Sequence, residues 1–254
     1  MKLAFVIPLK SKHSSTNWNT TVALTLRCLD SIFNQTNKNF DVYISCNEFP
    51  YESVSEKLTI IKENYSIPQS WNEGHEDKYR KIRRALFEVK KSGPTYIMKV
   101  DADDLINREL VNYVLNKKLD VYYINKGYIY ADESFWIEKT RRFHDFCGSS
   151  NILYCSDNEL PSDWNQNAED FDILSCGHNI IESYFGEKKK KISSIPFMGA
   201  IYISGSGENH SRFDIRKLKS RKKLFFSLFK RRLMNNNIRN KFSLYPISNY
   251  LNMI

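Results

Sequence analysis

The chain has 254 residues, of which 41% are hydrophobic, so it can bury the core of one sizeable domain and is not a disordered protein. The net charge of +9 is unevenly distributed, because residues 212–254 hold twelve Lys or Arg and one acid, a net +11, whereas residues 1–211 carry −2. The basic character therefore belongs to a C-terminal tail. No nucleic-acid partner is expected.

The cysteines and the N-terminus indicate a cytoplasmic protein. Five cysteines are an odd number, and they lack the spacing of a zinc site, so we expect reduced thiols. The apolar run after Lys2 is broken at Pro8, which does not fit a signal peptide. No apolar run approaches the roughly 20 residues that a membrane-spanning helix needs.

Strand and helix patterns alternate over the first 115 residues. Residues 3–9 form an almost continuous apolar run, typical of a strand buried on both faces. A helix follows, with Val22, Leu26 and Leu29 on one face. The remaining predictions are strands at 40–46, 58–61 and 96–100 and helices at 78–90 and 105–115. This order predicts an α/β fold with a doubly wound, mainly parallel sheet.

The second half is less regular and predicts the substrate-specific part of an α/β enzyme. Short strands are expected around residues 121–131 and 200–204. Residues 216–233 predict a basic helix with one apolar face, formed by Leu218, Phe225, Phe229 and Leu233. The predicted domains are a catalytic domain (1–211), with a nucleotide-binding half (1–115) and an acceptor half (116–211), and a basic amphipathic tail (212–254).

Three carboxylates, those of Asp101, Asp103 and Asp104, follow the predicted strand at 96–100. In an open parallel sheet, ligands bind beyond the carboxyl ends of the strands. Mg²⁺ and Mn²⁺ prefer carboxylate oxygens and are usually held by one or two carboxylates together with substrate phosphates. The position therefore favours a metal and phosphate site. The alternative is a solvated turn, with Asp104 as the N-cap of the next helix.

Four segments of residues 3–115 resemble GT-A-fold glycosyltransferases of the bacterial family 2 type, which synthesise surface polysaccharides. These segments are Val6-Ile-Pro8, Leu29-Asp-Ser-Ile-Phe-Asn-Gln35, Phe40-Asp-Val-Tyr-Ile-Ser45 and Tyr96-Ile-Met-Lys-Val-Asp-Ala-Asp-Asp104. The resemblance implies a GT-A-like fold, a nucleotide-sugar donor and Mn²⁺ or Mg²⁺ as the cofactor.

The resemblance also implies roles for residues of the nucleotide-binding half. Pro8 and Leu9 are expected against the nucleoside, and Asn47 or Glu48 at the base. Asp101 is expected at the ribose or the metal.

The resemblance further assigns Asp103 as a metal ligand. Lys78 and Lys81 fall near the expected base and phosphate, but this segment departs from the commoner Ala-Arg-Asn form. Their roles stay open between ligand contacts and solvated helix lysines.

The acceptor half carries weaker signals. Gly148 and Ser149 belong to a small-residue segment that lines a sugar pocket or forms an ordinary turn. His210, in a Gly-Ser loop after a strand, resembles the late histidine that completes the metal shell in many GT-A enzymes.

A general base is expected among the acidic residues of the acceptor half. Asp170 is the first candidate, because Ala168-Glu-Asp170 resembles the family's Glu-Asp element, and Glu169 and Asp172 are its neighbours. The competing candidates are Asp157, Asp163 and His178.

The function that follows from the resemblance is a metal-dependent, inverting glycosyltransferase. It would transfer a sugar from a nucleotide-sugar donor, a UDP-sugar above all, to a hydroxyl of a bacterial surface glycan or lipid-linked acceptor. The tail would hold the enzyme on the anionic inner face of the cell membrane as a peripheral protein.

Two alternatives stay open. One is a nucleic-acid or membrane-binding protein that acts through its basic tail. The other is a nucleotidyltransferase, which usually has a Gly-rich loop after the first strand, whereas Lys10-Ser-Lys-His-Ser-Ser15 contains no glycine.

Overall fold

The protein is built on two sheets with helices packed around them. The computed structural model describes residues 1–51, 55–68, 70–93, 95–163, 165–208, 214–217 and 230–254. The strands are β1 (Leu3–Pro8), β2 (Phe40–Cys46), β3 (Leu58–Lys62), β4 (Thr95–Lys99), β5 (Leu105–Ile106), β6 (Val121–Tyr123), β7 (Lys126–Ala131), β8 (Trp136–Arg141), β9 (Asn151–Cys155), β10 (Ile192–Ser194), β11 (Ala200–Ser204) and β12 (Arg231–Leu233). The helices are α1 (Trp18–Phe33), α2 (Trp71–Lys90), α3 (Leu110–Lys117), α4 (Asp172–Ser175), α5 (Ile181–Glu187), α6 (Asn236–Phe242) and α7 (Ile247–Leu251).

The larger sheet has the strand order β10-β6-β9-β4-β1-β2-β3. β1 lies between β2 and β4 and is parallel to both, and β2 is parallel to β3. β9 is antiparallel to its neighbours β4 and β6. This confirms the predicted fold class, an α/β fold with a doubly wound, mainly parallel sheet.

Helices cover both faces of the larger sheet. Val22 and Leu29 of α1 are buried in the core on the face that carries Phe5. Leu86 of α2 is buried on the opposite face with Val6. Because both faces are covered, the central strands are apolar on both sides, which explains the continuous apolar run at the start of the chain.

The smaller sheet has the order β12-β8-β7-β11-β5 and takes in part of the C-terminal tail. Phe242 and Leu244 are each only 1% exposed, and they pack in one cluster with Ile201 of β11. The described parts of the tail therefore belong to the body of the protein, and the predicted boundary after residue 211 stays a prediction.

Two predicted helices differ in the structure. The helix predicted from Leu105 is wrong at its start, because Leu105 and Ile106 pair antiparallel with β11, and α3 begins at Leu110. The helix predicted over residues 216–233 is wrong at its end, because β12 pairs with β8 there. The remaining residues of its predicted apolar face, Leu218, Phe225 and Phe229, lie outside the described residues.

All five cysteines are free and buried, as predicted. In the part of the chain that the structure describes, no helix has the length and hydrophobicity needed to cross a bilayer.

Candidate active site

The turn that follows β4 is closed by its own backbone and by a buried serine. The N–H of Asp104 donates to the carbonyl of Asp101 at 3.0 Å. The Ser149 hydroxyl donates to Asp104 Oδ2 at 2.6 Å and accepts from the Asp101 N–H at 2.8 Å. Ser149 therefore joins the backbone of Asp101 to the side chain of Asp104, and both Ser149 and Asp104 are fully buried.

Asp104 is thus a structural carboxyl and not the N-cap of a helix. Burial, together with the charges of Asp103 and Asp101, raises the pKa of Asp104 well above its usual value. A protonated carboxyl avoids a third negative charge in the same turn. Gly148 lies beside this turn, and a Cβ at its position would be only 3.3 Å from Asp101 Oδ2.

Lys78 of α2 forms an ion pair with the first carboxylate of the turn. Its Nζ lies 2.5 Å from Asp101 Oδ1. Burial alone would raise the pKa of Asp101, but the charge and hydrogen bond of Lys78 bring it below its usual value. Likewise, burial opposes a charged Lys78, but Asp101 raises its pKa above the ordinary value. The pair is therefore ionised.

Asp103 has no ion pair with another described residue, and its carboxylate is the one left available in the turn. Burial and the charge of Asp101 raise the pKa of Asp103 to about 6. A cation would relieve the repulsion between these two carboxylates, and their oxygens suit Mg²⁺ or Mn²⁺. The donor set therefore fits the implied metal.

The described residues supply only part of a metal shell. Among them, no group of three or more His, Cys, Asp or Glu side chains is arranged to hold a metal ion. His210, the predicted third ligand, lies outside the described residues. Further ligands would have to come from substrate phosphates, water or such a residue.

The residues after β2 border the same edge of the sheet. Asn47 donates from Nδ2 to the carbonyl of Glu63 at 3.4 Å, and its Oδ1 is buried without a hydrogen-bond partner among the described residues. That oxygen can accept a hydrogen bond from the N–H edge of a base. Glu48 instead accepts from the Lys12 N–H at 3.1 Å. It therefore holds the loop after β1.

Two of the predicted nucleotide contacts are buried inside the protein. Lys81 is 1% exposed, and its Nζ donates to Asp77 Oδ2 at 2.8 Å. Leu9 is fully buried in the core, whereas Pro8 is half-buried at the end of β1. In this conformation Leu9 packs in the core and Lys81 is paired with Asp77, so neither side chain is accessible to a ligand.

His178, from the predicted acceptor half, lies near enough to the turn after β4 to contribute to lowering the pKa of Asp101. Its effect is smaller than those of burial and Lys78. Its Nδ1 lies against the carbonyl of His144. A carbonyl only accepts, so Nδ1 carries the proton and Nε2 of the neutral ring keeps its lone pair.

Asp170 and Glu169 lie on a one-turn 3-10 helix, and both are exposed. Among the described residues, no hydrogen bond or ion pair joins either side chain to the carboxylate turn. The neighbouring Asp172 accepts from Tyr184 at 2.8 Å and pairs with Lys188. The Asp172 carboxylate is therefore engaged by Tyr184 and Lys188.

Asp157 and Asp163 follow β9 at the opposite edge of the larger sheet. The last residue of β9, Cys155, pairs with Thr95, the first residue of β4. The chain therefore leaves β9 far from Asp101, which lies two residues beyond the last residue of β4. This placement removes both residues from the candidates for the general base.

Sequence reasoning missed Lys99, the last residue of β4. Burial and the charge of Lys78 lower the pKa of Lys99 to about 8, and Asp101 acts in the opposite direction. A lysine in an otherwise apolar strand was the available signal. It adds a second cation beside Asp101.

No model of a known protein family matches the chain, and no curated protein matches it. The solved structures that are similar to it include two at 8% identity. One is a candidate nucleotide-diphospho-sugar transferase from Desulfovibrio desulfuricans G20, with a TM-score of 0.40, covering 81% of this chain and 83% of that one. The other is 4-diphosphocytidyl-2C-methyl-D-erythritol synthase from Anaerococcus prevotii DSM 20548, with a TM-score of 0.37, covering 89% of this chain and 96% of that one. At these scores neither similarity carries an argument about activity.

Proposed function

We propose that the protein is a metal-dependent glycosyltransferase that moves a sugar from a nucleotide-sugar donor, a UDP-sugar above all, to a hydroxyl of a bacterial surface glycan, with inversion. The observation that carries this proposal is the pair Asp101 and Asp103 at the carboxyl edge of a doubly wound sheet, with Lys78 beside it. An available carboxylate next to fixed cations is the arrangement that a diphosphate and a divalent cation require.

Each residue of the site has a proposed task. Asp103 would hold Mn²⁺ or Mg²⁺, which when bound would stabilise the negative charge of the departing diphosphate. Lys78 and Lys99 would supply positive charge near the same phosphates, and Asn47 Oδ1 would accept from the base. Ser149 would hold the conformation of the turn through its hydrogen bonds to Asp101 and Asp104.

We propose that the general base, which takes the proton of the acceptor hydroxyl, is one of three residues: His178, Asp170 or Glu169. The fixed tautomer of His178 supports its role, because its Nε2 is free to accept a proton. The resemblance of Ala168-Glu-Asp170 to the family's Glu-Asp element supports Asp170.

We propose that the protein also binds the anionic inner face of the membrane as a peripheral protein. The +11 charge of residues 212–254 supports this. Phe135 is 80% exposed, and its neighbour Trp136 is 46% exposed and pairs across strands with Leu233, which is 61% exposed. Exposed Lys230 and Arg232 stand beside these apolar side chains.

The activity is tested with the purified protein, a panel of nucleotide sugars and Mn²⁺ or Mg²⁺. We expect the nucleoside diphosphate to be released, and its release to be lost in Asp103→Asn but kept in the matched control Asp157→Asn. Release of pyrophosphate from a nucleoside triphosphate and a sugar phosphate would instead identify a nucleotidyltransferase. The proposal fails if no donor is hydrolysed, no nucleotide binds and Asp103→Asn behaves as the wild type.

A further inference from the structure

One buried carboxylate holds the loop of residues 10–17, which leads from β1 into α1. Glu208 Oε1 accepts from the Asn17 N–H at 2.6 Å, and Oε2 accepts from the Thr16 N–H at 3.2 Å. The ammonium of Lys10 also pairs with Oε2. The Glu208 side chain is only 4% exposed, although it lies 191 residues from Asn17.

Further contacts join the same two segments. Lys10 Nζ donates to the carbonyl of Glu208 at 2.9 Å, and the Thr16 hydroxyl donates to the carbonyl of Gly207 at 3.3 Å. Gly207 has a φ of +79°, a left-handed conformation that favours glycine and turns the chain so that Glu208 faces the loop. The segment 205–208 is therefore shaped to hold the loop 10–17.

The charge on the carboxylate is needed for this arrangement. A buried acid is tolerated where it is fully paired, and here two N–H groups and one ammonium satisfy it. A glutamine in its place would keep one acceptor oxygen but would turn an NH₂ group toward donors. Because two donors cannot bond each other, either the Oε1 bond from Asn17 or the Oε2 contacts from Thr16 and Lys10 would then be lost. In both orientations the ammonium of Lys10 loses its ion pair and keeps only the carbonyl of residue 208.

The anchored lysine lies near Asp103, the carboxylate proposed to hold the metal. Lys10 follows β1 at the edge of the sheet where Asp103 lies, and its charge is among those that act on Asp103. We infer that Glu208 is a positioning residue, which fixes Lys10 where it meets the phosphates of a nucleoside diphosphate. This inference rests on the proposed function.

Amide hydrogen exchange tests the contact without any need for activity. In Glu208→Gln we expect the amides of Thr16 and Asn17 to exchange at least tenfold faster than in the wild type, a change that loss of one charged hydrogen bond makes. The matched control is Glu187→Gln, an exposed glutamate at the end of α5, which should leave these amides unchanged. Unchanged exchange in Glu208→Gln would overturn the inference.

Binding of UDP with Mn²⁺ tests the positioning role. We expect Glu208→Gln to raise the Kd of UDP, and the KM of the donor, about tenfold with a smaller change in kcat. Lys10→Met leaves the Glu208 carboxylate and its two backbone N–H donors intact, so it should weaken UDP binding equally while Thr16 and Asn17 stay protected. Faster exchange with an unchanged Kd would overturn the role of Glu208 alone, whereas a wild-type protein that binds no nucleotide would overturn the proposed function.

Discussion

Lys78 Nζ lies 2.5 Å from Asp101 Oδ1, so an ion pair joins α2 to the turn after β4, where the nucleotide sugar is proposed to bind. We expect Lys78→Ala to raise the Kd of UDP about tenfold, since a hydrogen bond to a charged group is worth roughly 1.5 kcal/mol or more. Lys91→Ala is the matched control, because Lys91 pairs with Glu88 on the surface at the end of the same helix. Equal effects of the two variants on calorimetric titrations would contradict this prediction.

Metal binding should depend on pH through Asp103. Since burial and Asp101 raise its pKa to about 6, protons compete with a cation below that pH. We expect the affinity for Mn²⁺, measured by electron paramagnetic resonance with UDP present, to be nearly constant above pH 7 and to fall roughly tenfold per unit well below pH 6. Asp103→Asn should bind weakly at every pH. A flat wild-type profile from pH 7.5 to 5 would count against Asp103 as a ligand.

The general base can be identified by comparing two conservative variants. If His178 takes the proton of the acceptor, His178→Gln should lower kcat by 10²- to 10⁴-fold with little change in donor Kd. Asp170→Asn should then retain most of the activity, since its side chain is exposed. The reverse result would assign the base to Asp170.

The buried pair of Arg27 and Asp132 should matter for stability. Arg27 is fully buried, and its NH1 and NH2 donate to the two oxygens of Asp132 at 2.6 and 3.0 Å. Asp132→Ala leaves a buried cation without its partner, so we expect a loss of about 3–5 kcal/mol in the free energy of unfolding by urea. Asp41→Ala, which breaks the exposed pair with Lys2, should cost less than about 1 kcal/mol. Similar losses in the two variants would show that the buried pair contributes no more to stability than the exposed one.

Membrane binding should depend on the exposed apolar side chains beside β12. We expect Phe135→Ser with Leu233→Ser to reduce sedimentation with vesicles rich in phosphatidylglycerol more than tenfold, because each large side chain contributes about 1.5–3 kcal/mol when it leaves water. Met253→Ser is the control, since Met253 is 64% exposed at the C-terminus. Binding to neutral vesicles as strong as to anionic ones would contradict the role of charge.

The elements of residues 1–115 could be predicted from the sequence because they are long and their apolar patterns are regular. The run over residues 3–9 and the spacing of Val22, Leu26 and Leu29 gave β1 and α1. The helix predicted from Leu105 was wrong at its start because a short apolar run fits a strand as well as a helix. Its pairing with β11 depends on residues almost a hundred positions away.

The candidate site was predicted only in part, since long-range contacts leave little trace in a sequence. Asp101, Asp103 and Asp104 could be found from their place after an apolar strand. The pairing of Asp77 with Lys81 follows an i, i+4 spacing and could have been found too. By contrast, nothing near Glu208 in the sequence indicates that it binds Lys10, because that contact is made by the fold.

The C-terminal tail pairs with the smaller sheet through β12, so its positive charge cannot be removed by truncation without loss of folded structure. Residues 215–217 form a one-turn helix whose Ile215 is buried, and from Arg231 onward the chain pairs with β8 and fills the core with Phe242. The most basic stretch is thus an internal segment, joined at both ends to folded protein. Truncating the chain before it would remove core side chains as well as charge. Neutralising its lysines and arginines within the intact chain separates electrostatic attraction from loss of folding.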